Sequence, residues 1–186
     1  MIAAVVLAAG AASRFGAPKQ RLLLPQVLES VRASGSVDDV VVVLGAHDVE
    51  TDARTVRCAE WERGPGASLR CGLAALPAAA EAAVVVLADG PDLAPGAIDR
   101  VVDEWRAGRG DVLAASYGGR RSHPVLVARP AWNEVPDEGL RSVRATPVPC
   151  DDLGAPGDVD YPEDLDRLLR RNTSAAAPEE DEPVTG

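Results

Sequence analysis

The sequence predicts a three-layer α/β fold around a mostly parallel, mixed central sheet. Apolar runs at 2–7, 40–44 and 84–87, with a weaker copy at 112–115, are hydrophobic on both faces. Strands of a sheet covered by helices on both sides must be so. Helical patterns at about 26–34, 67–76, 96–107 and 163–171 alternate with them, the order of a crossover-connected sheet. The 186 residues, 46% of them hydrophobic, suit one domain with a full-sized core.

Each element has its own justification. The first strand runs directly into Gly10. Asp38 and Asp39 precede the second strand and Gly45 follows it. Pro95-Gly96 opens a helix that carries Ile98, Val101, Val102 and Trp105 on one face. Residues 123–128 read as a strand with Pro124 near its start. Proline cannot donate to a ladder, so an edge strand is expected there. The stretch 172–186 is rich in Ala, Pro and Glu, with an acidic run from Glu179 to Glu182. It reads as a disordered acidic tail, leaving 1–171 as the domain.

Composition narrows the function. Aromatics are only 3%, so Ala, Val and Leu must build the core. A net charge of −10 argues against nucleic-acid binding through a basic surface. No run approaches the length of a membrane-spanning helix. Residues 1–9 lack the basic start of a secretory signal. A cytoplasmic protein is expected. Cys58, Cys71 and Cys150 are an odd, widely spaced set. They read as buried small hydrophobes in a reducing compartment, supporting neither a disulfide framework nor a zinc site.

Three segments carry chemistry, and in an open parallel sheet ligands bind beyond the carboxyl ends of the strands. The first runs from Ala9 to Lys19. Gly10 and Gly16 let backbone N–H groups approach phosphate oxygens, and Arg14 and Lys19 add positive charge. Lys19 is the only lysine; the rest of the 19 cationic side chains are arginine. A compact ammonium is kept where a planar guanidinium would not serve. The spacing matches neither the dinucleotide GxGxxG nor the P-loop GxxxxGK[ST]. The second segment ends a fully apolar strand in Asp89. A carboxylate there must face a cation or solvent, and magnesium is a natural partner. Asp92 suits a helix cap or turn better. The third segment holds Asp158, Asp160 and Pro162. Asp160 is either the cap of the following helix or a second metal ligand, with Asp158 the alternate ligand.

Taken in order, these pieces resemble the MobA-like nucleotidyltransferases, and within them the molybdopterin cytidylyltransferase branch. The matching residues are Leu7-Ala8-Ala9-Gly10, Ser13-Arg14-Phe15-Gly16 and Lys19-Gln20. Trp61, Gly64, Ser68-Leu69-Arg70 and Gly72 follow, then Leu87-Ala88-Asp89 with Pro91. His123-Pro124-Val125-Leu126, Trp132, Asp137-Glu138-Gly139 with Arg141, and 158–165 complete the series.

The resemblance implies a Rossmann-like nucleotidyltransferase fold with an NTP, CTP favoured, and Mg²⁺. It implies that Lys19 and Arg14 contact the triphosphate and that Asp89 and Asp160 hold the metal. Leu7, Ala8, Ala9, Gly10, Ser13, Gly16, Ser68 and Gly72 would border the nucleotide. His123, and more weakly Asp158, would face a phosphorylated acceptor such as molybdopterin. A client molybdoenzyme is a further implied partner. A nicotinamide-dependent oxidoreductase of the same domain family and a non-catalytic nucleotide-binding maturation factor are the competing expectations. His47 and Asp48 read as ordinary loop.

Overall fold

The computed structural model describes residues 1–11 and 20–157. A seven-stranded sheet carries the order β3-β2-β1-β4-β6-β5-β7. The strands are β1 (Ile2–Ala8), β2 (Asp39–Leu44), β3 (Arg54–Arg57), β4 (Ala82–Leu87), β5 (Val112–Tyr117), β6 (Arg120–Ala128) and β7 (Thr146–Pro149). The helices are α1 (Gln20–Ala33), α2 (Pro65–Ala74) and α3 (Pro95–Arg106). β1 pairs in parallel with both β2 and β4. Among the described strands, only β6 runs against its neighbours, between β4 and β5. The expected three-layer, mostly parallel fold is therefore present.

The alternation along β1 sorts the core into two halves. Ile2, Ala4, Val6 and Ala8 face α1 and α3, against Leu24, Val27, Leu28, Val31, Ile98 and Val101. Ala3 and Val5 face α2, against Leu69 and Leu73. Small residues in β1 let helices sit close on both faces. The tightest approach is at Gly72, where an added Cβ would stand 2.5 Å from Val5 Cγ1 and 2.8 Å from Val43 Cγ2. Gly72 thus has a packing role against the sheet.

Several expectations need correction. The segment 123–128 is not an edge strand: β6 lies inside the sheet. Its pairing with β5 shifts between Ala114 and Ser116, so that Ser122, His123 and Pro124 face only Ala115. Pairing with β4 begins at Val125. Pro124, in a cis peptide with His123, therefore sits in a bulge where no ladder needs its missing N–H. α1 starts at Gln20 rather than near 26, and Pro25 lies inside it. The buried stripe Leu23, Leu24, Val27, Leu28 and Val31 outweighs the one lost backbone bond. α3 is capped at Ala94 with no side-chain cap bond, so of the two roles expected for Asp92, cap or turn, it takes the turn, and its N–H donates to the Pro156 carbonyl at 2.8 Å. The expected helix over 163–171, the tail 172–186, and both Asp158 and Asp160 lie outside the described residues.

The cysteines are corrected as well. Cys58 and Cys71 are joined by a disulfide, with Cα atoms 5.7 Å apart. The end of β3 and the last turn of α2 meet in space, which spacing along the chain does not reveal. Cys150 remains a free, buried thiol as expected. No described helix is long and apolar enough to cross a membrane.

Gly72→Ala should lower stability by about 1 kcal/mol in urea unfolding. Overpacking of about 1–3 kcal/mol outweighs a helix-propensity gain of about 1 kcal/mol. A more stable variant would show that Val5 and Val43 yield freely.

Candidate active site

The chain leaves β1 towards β2 on one side, while β4 pairs on the other. The gap beyond the carboxyl ends of β1 and β4 is the topological switch point, where an open α/β sheet binds ligands. Gly10 follows β1 and Asp89 follows β4 at this place. The Ala88 N–H donates to the Leu7 carbonyl at 3.1 Å, so the two strand ends stay joined up to the site.

Two cavities open here. The smaller, about 330 Å³, is lined by Leu7, Ala9, Gly10, Trp61, Glu62, Pro65, Ser68, Leu87, Ala88 and Asp89. The larger, about 570 Å³, shares Leu7, Pro65 and Leu87 with it and is walled mainly by apolar side chains. Arg121, Ser122, His123, Glu138 and Arg141 supply its polar groups. A third recess of about 200 Å³ brings Asp89, Ser122, His123 and Arg141 around one space. Asp89 therefore lines both the smaller cavity and this recess, which shares Leu87, Ser122, His123 and Arg141 with the larger cavity. Another cavity, of about 560 Å³, opens by Gly110–Val112 and Thr146-Pro147, where β5 and β7 begin. It lies at the opposite end of the sheet from the strand-end groups.

The walls are held by close backbone approaches. A Cβ at Gly45 would meet the Ala9 carbonyl oxygen at 2.6 Å and Trp61 Cγ at 2.7 Å. Glycine there lets the Trp61 ring seat against the end of β1. A Cβ at Gly66 would stand 1.7 Å from the Pro136 carbonyl oxygen. The start of α2 is thus pressed onto 136–137, and the Gly66 N–H donates to the Asp137 carbonyl at 3.0 Å. Arg70 and Arg63 both donate to the Asp137 carboxylate, the latter at 3.0 Å to Oδ2. They hold that carboxyl below the usual carboxylate range, Arg70 more than Arg63. This clasp fixes the Glu138–Arg141 wall of the larger cavity to the helix that borders the smaller one.

His123 keeps part of its surface toward the cavities while protein encloses the rest of the ring. Burial pushes its pKa down to about 4; Asp89 opposes the shift, and Arg121 and Arg141 reinforce it. The imidazole is neutral across physiological pH.

The structure gathers Leu7, Ala9, Gly10, Ser68, Asp89 and His123 around the adjoining cavities, with Ala8 buried beside them. Gly72 is apart from both linings, against Val5 and Val43. Ser13, Arg14, Gly16, Lys19, Asp158 and Asp160 lie outside the described residues. Sequence reasoning missed three contributors. Arg121 and Glu62 carry no motif that sets them apart from other surface charges. His47 Nε2 lies 2.9 Å from the Ala11 carbonyl oxygen, so it anchors the start of the glycine-rich loop. Its only signal was its place directly after a buried strand.

The described residues contain no group of three or more His, Cys, Asp or Glu able to hold a metal by themselves. The donor set still fits a hard divalent cation that takes one or two carboxylates and completes its shell with substrate phosphates. Asp89 supplies such a carboxylate at the junction of the cavities.

No curated protein sequence matches the chain. Rv0371c from Mycobacterium tuberculosis H37Rv is 30% identical, with a TM-score of 0.73, over 91% of this chain and 98% of that one. A manganese complex of the same mycobacterial protein is 28% identical over the same shares, with a TM-score of 0.69. Molybdopterin-guanine dinucleotide biosynthesis protein A from Archaeoglobus fulgidus shares the fold at 18% identity, with a TM-score of 0.70 over 94% of this chain and all of that one. The model of the MobA-like NTP transferase domain matches residues 4–147, from β1 into β7. The chain belongs to the MobA-like NTP transferase domain family.

Proposed function

We propose that this protein transfers a nucleoside monophosphate, CMP from CTP, to a phosphorylated acceptor of the molybdopterin type and releases pyrophosphate. The observation that carries the reading is the pair of adjoining cavities, with Asp89 lining the smaller one and the recess that shares Ser122, His123 and Arg141 with the larger. The smaller has room for a nucleoside, flanked by the Trp61 ring, Glu62 and the Ala9-Gly10 backbone. The larger combines apolar walls with Arg121 and Arg141, suited to a bulky acceptor with an anionic end.

An acceptor phosphate oxygen attacks the α-phosphorus in line, the bond to the bridging oxygen breaks, and pyrophosphate leaves. Such transfer depends on positioning and on charge stabilisation. Ala9 and Gly10 offer close backbone approach to the nucleotide. Lys19 and Arg14 neutralise the triphosphate and the leaving group. Arg121 and Arg141 orient the acceptor. Its phosphate is already ionised at neutral pH, so no base is required, and neutral His123 serves as an uncharged contact. Asp89 and Asp160 would hold Mg²⁺, which when bound supplies charge neutralisation at the reacting phosphates. The manganese complex of Rv0371c supports a divalent ion in this fold. A cytoplasmic location and a molybdoenzyme client belong to the same proposal.

Calorimetric titration with CTP, GTP, ATP, UTP and NADPH, each with and without Mg²⁺, tests the reading. Tightest Mg²⁺-dependent binding of CTP is expected, and Asp89→Ala should abolish the metal dependence and nearly all turnover while leaving the fold intact. NADPH binding with no NTP response would instead favour the oxidoreductase. NTP binding without turnover on any phosphorylated acceptor would favour the maturation factor.

Lys19→Arg should cut turnover at least about tenfold despite keeping the charge, because a planar fork replaces a compact ammonium. Kinetics equal to the parent would remove any special role from that lysine.

His123 has a folded pKa near 4 and an ordinary value of 6.5. Between these values the unfolded state binds more protons, so its contribution to stability is complete above pH 6.5 and is lost as pH falls towards 4. The stability difference between wild type and His123→Gln should shift against wild type across that window in pH-dependent urea unfolding. A pH-independent difference would mean that the ring protonates normally.

A further inference from the structure

We propose that the Cys58–Cys71 disulfide is a redox modification site, opened by a dithiol reductant at Cys71, that governs the order of the nucleotide-cavity wall. The effect on nucleotide binding rests on the function proposed above; the exchange chemistry does not.

The two sulfurs differ in access. Cys58 is 1% exposed, and its Sγ lies 3.5 Å from the Ala67 carbonyl oxygen. Cys71 is partly exposed and lines an open depression with Glu60, Arg63, Ala67, Arg70 and Asp137. An incoming thiolate therefore reaches the Cys71 sulfur. It forms a mixed disulfide there, the bond to Cys58 Sγ breaks, and Cys58 leaves as a thiolate that takes up a proton. The second thiolate of the reductant attacks its own mixed-disulfide sulfur and releases Cys71. Two electrons and two protons pass to the protein, and the dithiol becomes a disulfide.

The closed loop holds the segment that builds the site. Between the two cysteines lie Trp61, Glu62, Pro65 and Ser68 of the smaller cavity, and Pro65 and Leu69 of the larger. The far part of this segment has independent support from Gly66 and from the Asp137 clasp. The near part has less: the 3₁₀ turn Trp61–Arg63 has no buried residue, Glu60, Glu62 and Arg63 are exposed, and its tie to Asp137 is the solvent-exposed Arg63 ion pair at 3.0 Å. Its position depends on the tie at Cys58, on the seating of Trp61 against Gly45 and on the exposed Arg63–Asp137 pair. Opening the disulfide frees the near part and leaves α2 docked.

The test compares the air-oxidised protein, the same protein treated with dithiothreitol under native conditions and then alkylated, and the double variant Cys58→Ala, Cys71→Ala. Peptide mass mapping should find 58 and 71 linked before treatment and both alkylated after it, with Cys150 unlabelled. Amide hydrogen exchange over 59–64 should accelerate about tenfold while 66–74 stays protected. The Kd for CTP with Mg²⁺ should rise about tenfold in the reduced protein. The double variant should match the reduced form and ignore dithiothreitol. The proposal is overturned if no linked peptide is found, if the link resists dithiothreitol in the folded protein, or if exchange over 59–64 is equal in both states. Faster exchange with an unchanged Kd would overturn control of the nucleotide wall. If no form binds any NTP, the transferase reading fails, and amide exchange alone decides the clasp.

Discussion

The parallel pairing of β1 with β4 is the constraint on which the site depends. Its ladder runs unbroken from Ile2 opposite Ala82 to Leu7 opposite Leu87. It fixes the height at which Gly10 and Asp89 emerge, and with them the spacing of these two strand-end groups. Both strands are buried on both faces, so the register cannot slip without turning small and large side chains to the wrong helices. The chemistry thus borrows its precision from the core.

The other walls are attached to this centre by close contact rather than by continuous structure. Trp61 sits on Gly45, α2 presses through Gly66 onto 136–137, and two arginines grip Asp137. Each contact joins residues distant in sequence, and the two ion pairs are exposed or only partly buried, so the contribution of each is small. What they supply is placement. α2 is the shared partition: its first turn borders both cavities and its body is locked to the sheet at Gly72.

Much of this was legible along the chain. Strands covered on both faces must read as continuous apolar runs, so β1, β2 and β4 stood out, as did Asp89 at the end of one. Edge strands carry no such mark: β3 is Arg-Thr-Val-Arg and β7 is Thr-Pro-Val-Pro. Pro124 pointed to an edge because the bulge that accommodates it depends on β5. The helical pattern was read only from about 26, because Pro25 lies inside α1 and the burial that carries the helix through it is not visible in sequence. The pairing of Cys58 with Cys71, and the meeting of Arg121 with Arg141, arise only when separate elements fold together.

The reversed direction of β6 has a consequence for how such an enzyme diversifies. A strand running with its neighbours would bring its end to the site; β6 brings its beginning. Arg121, Ser122 and His123 therefore follow directly from the Gly118-Gly119 turn, where both residues have positive φ and an added Cβ would meet nothing. Changes of length or composition in that hairpin tip reach the larger cavity without crossing the β1–β4 ladder. The lining of the larger cavity and the strand ends that hold Gly10 and Asp89 are then separately mutable, and one scaffold can be refitted around that cavity at the cost of a surface turn.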